Sequence, residues 1–466
     1  MEQRERLGSR LGFILLSAGC AIGVGNVWKF PWMAGQYGGG AFVLVYLFFL
    51  FMLGLPVMIM EFSLGRASQA SPVRLYQKLE KPGQKWHLHG YGALAANILL
   101  VMFYTSVAGW ILYYFVSFLK GDMTGITNAS SAQLFDSMLQ SPLITVGFMA
   151  IVVVMGFVIL SFGVQKGVER VTKYMMIVLL ALMVVLAINS FTLSGAKEGL
   201  TFYLKPDLTK LNGEVVVGAM NQAFFTLSLG AGSMAIFGSY IGKERSLVGE
   251  SINILCLDTF VAITAGIIIF PACYTFDVEP TAGPKLLFVA MAKVFNNMAG
   301  GRWWGSLFFL FMFFAAMSTV IAVFENILAC VKELTGWGRI KTCIISGIEI
   351  LILATPCALG FNLWSSFTPF TSSSSILDLE DFLVSNILLP VGSIIYVLFC
   401  VSKKGWGFDN FFNEANTGKG LKIKKWMKPY MTYVLPTVII FIFIYGIITF
   451  EFADGFTVLG WIKNLF

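Results

Sequence analysis

Five ionisable side chains lie inside stretches that are otherwise apolar: Lys29, Glu61, Asp258, Glu325 and Glu349. Such a charge is costly in hydrocarbon and is kept where it pairs, binds an ion or reaches an interface. Asp258 is the sharpest of the five. Its neighbours include Leu255, Leu257 and Phe260, and its stretch holds no basic residue, so a bound cation is its natural counter-charge. Oxygens suited to a hard, weakly held cation such as sodium occur at Asn26, Thr226, Ser318 and Thr319. Taken singly, each is equally at home as a satisfied buried group or a packing hydroxyl. Enzyme chemistry finds less support: His87 and His89 are the only histidines and fall in a loop, and no glycine-rich phosphate loop is present.

Groups of this kind must be held at membrane depth, and the chain breaks its own helices there. The stretch Leu11 to Tyr37 is long and apolar enough to cross a bilayer, yet carries Gly19, Gly23 and Gly25 near its centre, followed by Asn26 and Lys29. Unpaired backbone groups in hydrocarbon cost several kcal/mol each, so a broken helix persists only where ligand, water or protein takes them up. A kinked helix with close small-residue packing is the plainer alternative. A second interruption lies in Asn221 to Met234, at Gly230 and Gly232 after a run of small hydroxyls. Carbonyls at Gly19, Ala21 and Ile22 would be free for a cation. Half-helix N-termini near Val24 and Ala231 would turn positive dipole ends toward a carboxylate.

The totals agree with a polytopic membrane protein. Hydrophobic residues make up 57% and charged residues 12% of the chain, and mean hydropathy is +0.79. Apolar runs bounded by Pro, Gly and charge clusters predict spans near 11–36, 40–65, 90–119, 142–162, 167–191, 214–240, 247–274, 304–333, 340–359, 379–401 and 429–450. The formal charge of +7 falls mostly in alternate loops, which argues against nucleic acid as a partner. Basic clusters at Arg4 to Arg10, Arg66 to Lys85 and Lys403 to Lys428 place those loops and the N-terminus in the cytoplasm, and the tail 452–466 outside. The regions 120–141, 192–213, 275–303 and 360–378 read as outer loops. Asn128-Ala-Ser130 in one of them is a glycosylation triplet of a kind that is frequent by chance. Cys20, Cys256, Cys273, Cys330, Cys343, Cys357 and Cys400 all lie in or beside apolar stretches, so neither disulfides nor zinc are expected. No cleaved signal peptide is expected at Met1 to Arg10. The interrupted spans are the first and sixth, one in each half of five, and an odd repeat length inverts one half against the other.

These residues resemble a known family. Gly19-Cys-Ala-Ile-Gly-Val-Gly-Asn-Val-Trp-Lys-Phe-Pro31, Gly38-Gly-Gly-Ala-Phe42, Pro56 to Glu61 with Gly65-Arg66, Phe224 to Gly230, Phe314-Ala-Ala-Met-Ser-Thr319 and Glu380-Asp-Phe382 are similar to the neurotransmitter:sodium symporters. The likeness runs from about Arg4 to Glu451 and is nearest to the bacterial eleven-helix amino acid transporters of that family. It implies an all-α integral membrane protein forming a single transmembrane transporter domain over 1–466. Helices 1–5 (about 11–191) and 6–10 (about 214–401) would be inverted repeats with helices 1 and 6 broken, and helix 11 (about 429–450) would stand outside them. Such inverted repeats with broken helices are characteristic of that family.

The resemblance also implies residue roles. A first Na+ site would use Ala21, Asn26, Thr226 and Asp258 with the substrate carboxylate, and a second Gly19, Ile22, Ala315, Ser318 and Thr319. The carboxylate would meet Gly25 and the Tyr104 hydroxyl. The substrate side chain would lie among Leu100, Phe225, Ser228, Ala231, Thr319 and Val323, with Cys20, Ala21, Val24 and Thr226 completing the lining. Lys29 would approach Asp381 with Gln222 nearby as the outer gate. Arg4 would approach Glu333, supported by Ser239 and Tyr240, as the inner gate. Gly23 stands where monoamine carriers place an Asp, and small Ala231 leaves room for a bulky side chain. Asp258 stands where animal members have Asn and need chloride, and Lys29 replaces the more usual Arg. The function implied is chloride-independent sodium symport of hydrophobic or aromatic L-amino acids by alternating access, without enzymatic activity, in the lipid of a plasma membrane such as a bacterial inner membrane. A sodium-independent or proton-coupled exchanger of the same architecture, or a sensor that binds without transport, remains open from the residues alone.

Overall fold

The structure, a computed structural model, describes residues 7–123, 128–278 and 286–463. Among these, nine helices are long and apolar enough to cross a membrane. They are span 2 (Gly40–Ser68), span 3 (Leu88–Lys120), span 4 (Pro142–Ser161), span 5 (Val164–Phe191), span 7 (Leu247–Thr275), span 8 (Gly301–Thr335), span 9 (Arg339–Leu359), span 10 (Ile376–Val401) and span 11 (Lys425–Thr449). Span 1 is a bent pair, Arg10–Ala21 and Gly25–Gln36, meeting at 55°. Span 6 consists of Gly213–Thr226 and Ser233–Gly238, with residues 227–232 as turn between them. Both interruptions therefore fall where the glycines lie.

Proline shapes the other irregularities. Spans 2, 10 and 11 each contain a π-helical turn, Leu50–Gly54, Phe382–Leu388 and Tyr430–Val434, just before Pro56, Pro390 and Pro436. A proline offers no N–H and its ring crowds the carbonyl four residues back, so the helix widens there. The carbonyl released ahead of Pro56, that of Met52, accepts the Tyr430 hydroxyl, which ties span 11 to span 2.

Burial separates core from periphery. In its most apolar window span 8 is 83% buried and span 3 is 72%, against 33% for spans 5 and 11. Spans 3 and 8 pack along one another, and span 8 also packs against the first half of span 1, so together they form a wall of the site. Some predicted outer loops hold helices too short to register as spans: Asn128–Gln140, Ala196–Leu204 and Ala292–Asn297. Ala196–Leu204 lies on span 7, where the Tyr203 hydroxyl sits 3.1 Å from the Ile263 carbonyl. The helices are joined by one short antiparallel pair, Glu451–Ala453 with Phe456–Thr457. Phe450 and Phe452 pack there on Phe370 and Phe382.

Span 2 and the second half of span 6 approach closely. A methyl on Gly65 would lie 1.8 Å from the Ala235 carbonyl oxygen, and one on Gly238 would lie 2.5 Å from that of Phe62. Both contacts are with main chain, which cannot rotate away. Gly65→Val is expected to lower the thermal-unfolding midpoint in detergent, at a cost of about 1–3 kcal/mol, whereas Gly147→Val, with nothing within 4 Å, leaves it unchanged.

Candidate functional site

Span 1 stops being helical at Ile22, whose ψ of 95° is extended. The next amides then turn to side chains: Gly23 N donates to Asn26 Oδ1 at 3.2 Å and Val24 N to the Tyr104 hydroxyl at 2.8 Å. Carbonyls upstream gather hydroxyls from span 8 instead. Ser318 Oγ lies 3.3 Å from the Ile22 carbonyl oxygen and 2.9 Å from that of Ala315. Thr319 Oγ1 lies 3.3 Å from the oxygens of Gly19 and Cys20 and 3.4 Å from that of Ile22. The structure thus brings together Gly19, Ile22, Ala315, Ser318 and Thr319, an all-oxygen set without formal charge. A hydroxyl has one proton to give, so most of these oxygens keep lone pairs free for a cation.

A second cluster forms where span 7 passes the break. Asn26 Nδ2 donates to Asp258 Oδ1 at 2.7 Å, and Thr226 Oγ1 lies 3.4 Å from Oδ2. Asp258 and Asn26 are wholly buried. Among the described ion pairs none involves Asp258, so a buried carboxylate is left with neutral donors. Its donor set fits a small hard cation, held by the carboxylate, the Thr226 hydroxyl and the amide oxygen of Asn26 once that side chain turns.

The span 6 break is held from behind. Gly230 (φ 94°) and Gly232 (φ 76°) take the left-handed conformation that favours glycine, and Ser228 at φ 50° shares it. Gly230 N donates to Glu61 Oε1 at 2.6 Å, and the amides of Met234 and Ala235 face the same carboxylate. The Ala231 carbonyl accepts from Asn97 Nδ2 at 2.8 Å and Asn326 Nδ2 at 3.3 Å. Glu61 is thereby a brace for the break, a role its position in the sequence does not reveal.

Between the two breaks lies a small cavity of about 20 Å³, roughly the room one water needs. Cys20, Ala21, Gly25, Leu100, Tyr104, Phe225, Thr226, Ser228 and Thr319 line it, all expected. Val24, Ala231 and Val323, also expected, do not. Val24 meets Tyr104 through its amide, and Ala231 is buried and engaged through its carbonyl. Gly23 and Leu389 line the cavity without having been assigned to it. The sequence signal for Leu389 is Pro390 beside it, the mark of an irregular turn in span 10. A methyl on Gly23 would lie 2.3 Å from the Tyr104 hydroxyl oxygen and 2.6 Å from Thr319 Oγ1.

At the expected outer gate the described contacts differ from the expected pair. Lys29 does not pair with Asp381 among the described ion pairs; its ammonium sits 3.8 Å from the centroid of the Phe225 ring, while Asp381 Oδ1 accepts from Ser385 Oγ at 2.6 Å. The aromatic face over the cavity competes successfully for the lysine, which lacks the planar fork of an arginine. Gln222 Nε2 donates to the Gly25 carbonyl at 3.0 Å and fastens this lid to the break. On the other side Arg4 lies outside the described residues. Glu333 accepts from Ser71 N at 3.0 Å and Ser71 Oγ at 2.7 Å. The Tyr240 hydroxyl donates to Glu325 Oε1 at 2.9 Å, and Arg339 Nη2 reaches Glu325 Oε2 at 2.5 Å. Glu325 therefore ties the ends of spans 6, 8 and 9. Glu349 faces no such partner among the described interactions.

The sequence profile of the Sodium:neurotransmitter symporter family matches residues 4–130 and 132–462. An uncharacterized sodium-dependent transporter YhdH of Bacillus subtilis (strain 168) is 35% identical over 446 residues, covering 95% of this chain and 98% of its own. An uncharacterized sodium-dependent transporter of Haemophilus influenzae is 32% identical over 457 residues, covering 95% and 98%. Among solved structures, MhsT in complex with L-phenylalanine superposes with a TM-score of 0.86 at 35% identity, over 95% of this chain and 100% of that one.

Gly23→Ala is expected to weaken amino acid binding to the solubilised protein by tenfold or more, about 1.4 kcal/mol, in a calorimetric titration. The added methyl strikes the two hydroxyls that face the cavity.

Proposed function

The chain belongs to the sodium:neurotransmitter symporter family, and from that premise we propose that it takes up hydrophobic or aromatic L-amino acids with sodium by alternating access. Its fold is the family's: helical, membrane-spanning, with spans 1 and 6 broken. Family and relatives are sodium-dependent transporters rather than enzymes. In this reading residues 11–191 and 214–401 are the two inverted halves, 429–450 stands outside them, and the basic loops keep the N-terminus cytoplasmic.

One observation carries the proposal. The main chain freed at 19–22 is gathered by Ser318 and Thr319, while Asp258 of span 7, buried and without an ion pair among the described residues, faces Asn26 and Thr226 at the break. We assign sodium to both sets. At the first, entry of the ion turns the Asn26 amide so that Oδ1 replaces Nδ2 in front of Asp258. At the second, the ion takes the place of the weak hydroxyl contacts of Thr319. Ala21 and a substrate carboxylate near Gly25 and Tyr104 complete the first shell, so one substrate atom is shared between ion and protein. Affinity coupling follows, and it is reciprocal: sodium tightens amino acid binding by the same factor as the amino acid tightens sodium.

Asp258 places a fixed negative charge beside the first site, which removes the need for a chloride there. The substrate class is supported by the apolar walls Leu100, Phe225 and Leu389 and by the L-phenylalanine held in MhsT. Phe225 and Leu389 must turn outward to admit such a side chain, since the closed cavity is only about 20 Å³. The lid of Lys29 on Phe225 moves with that turn.

Proteoliposomes with an inward sodium gradient are expected to accumulate labelled phenylalanine or leucine; equal uptake with potassium in place of sodium overturns the reading. Asp258→Asn is expected to raise the sodium concentration for half-maximal uptake about tenfold or more, about 1.4 kcal/mol, and to make transport respond to external chloride. A chloride-blind Asp258→Asn carrier removes the charge argument.

A further inference from the structure

The segment leading into span 11 holds five lysines in close succession, Lys419, Lys422, Lys424, Lys425 and Lys428, all exposed. Among the described ion pairs only Lys428 has an acidic partner, Asp409, at 3.7 Å. Basic residues in such a loop need no partner to orient a membrane protein. Two further features go beyond that. Leu421 and Trp426 stand among the lysines 60% and 73% exposed, and Tyr433 (71%) with Val434 (48%) continues the apolar strip along span 11. The display is also built rather than frayed. Ile423 is buried beneath it, and the Asn416 side chain clamps the Ile423 main chain, accepting from its N at 2.7 Å and donating to its carbonyl at 3.1 Å. A band of cations above an exposed aromatic and aliphatic strip has the polarity of a phospholipid, phosphate at one end and hydrocarbon at the other.

We propose that this segment docks an anionic phospholipid, its headgroup on Lys422, Lys424 and Lys425 and its acyl chain along span 11 past Tyr433. The inference depends on the membrane topology and is independent of which amino acid is carried. The surface is also joined to the inner mouth of the pocket. Lys419 N donates to the Glu244 carbonyl at 2.9 Å, Ser246 N to the Lys419 carbonyl at 3.0 Å, and Ser246 Oγ to that of Leu421 at 2.5 Å. Residues 242–246 follow directly on span 6 and on Tyr240, whose hydroxyl holds Glu325. Wholly buried Arg66, near the end of span 2, ties the 242–246 loop to the helix Phe408–Ala415 that precedes the lysines, with bonds to the Arg245 carbonyl at 2.8 Å and to Glu414 Oε1 at 2.7 Å. A bound headgroup relieves repulsion among the lysines and steadies the loop against which span 6 closes, so anionic lipid also raises turnover.

The test uses the full-length protein in phosphatidylcholine vesicles with or without phosphatidylglycerol, with spin-labelled lipids to read association and labelled amino acid to read uptake. The wild type is expected to prefer spin-labelled phosphatidylglycerol over phosphatidylcholine by about threefold and to transport faster when it is present. The triple variant Lys422→Gln, Lys424→Gln, Lys425→Gln loses both effects. The corresponding triple Lys→Arg variant keeps them, and Lys403→Gln with Lys404→Gln, the same face but outside the patch, leaves them unchanged. Equal association of both lipids with the wild type overturns the proposal, as does a preference surviving in the Gln variant or lost in the Arg variant. Full replacement of phosphatidylglycerol by inorganic phosphate overturns it too, because the site then takes a free anion.

Discussion

Two helices that lose their internal hydrogen bonds at membrane depth set the terms for everything around them. Hydrocarbon offers the released carbonyls and amides no partner, and each one left bare costs several kcal/mol. The rest of the bundle is arranged to answer that demand: Tyr104 and Asn26 take amides of span 1, Glu61 takes those of span 6, and Asn97 with Asn326 takes the Ala231 carbonyl. What these residues leave unanswered is a small set of oxygens facing Ser318, Thr319 and Asp258. The alkali-ion site proposed above would thus be the remainder of a satisfaction problem, its coordination supplied in part by main chain that had to be released anyway.

Division of labour among the spans follows from the same constraint. Spans 3 and 8, the most enclosed, supply Tyr104, Ser318 and Thr319 on unbroken helices, with all three side chains buried. Spans 1 and 6 are joined to each other beside their breaks, Gln222 to the Gly25 carbonyl, and beyond the end of span 6 Tyr240 is bonded to Glu325. In the alternating-access reading proposed above, spans 3 and 8 would be the wall against which spans 1 and 6 hinge at their breaks. Phe225, under the Lys29 ammonium, lines the small cavity between the breaks.

The loops beyond span 6 extend the arrangement. Arg66 joins three segments distant in sequence, and the lysine-bearing loop before span 11 is hydrogen-bonded to the turn that follows span 6. Peripheral span 11, outside the paired halves, acquires a mechanical connection to the core through its loop and through Tyr430 on the Met52 carbonyl.

Much was legible without coordinates. Apolar runs bounded by charge reveal the spans because burial in lipid is a property of composition over some twenty residues, and the paired glycine interruptions reveal where the bundle must be open. Asp258 is conspicuous by its apolar neighbours alone. Local sequence cannot say which partner a buried polar group meets, since that depends on helices hundreds of residues apart. Hence Glu61 and Glu325 were visible as anomalies, but only packing made one a brace for span 6 and the other a tie among spans 6, 8 and 9. Leu389 reaches the cavity through a π turn that its own span hides, and Lys29 settles on Phe225 rather than Asp381 because ring and ammonium meet only in the folded chain. The sequence by itself determined that helices break and which chemistry is available at the breaks, for those are properties of residue type. The order in which three-dimensional neighbours claim each released group was decided by tertiary structure, because distance and burial exist only there.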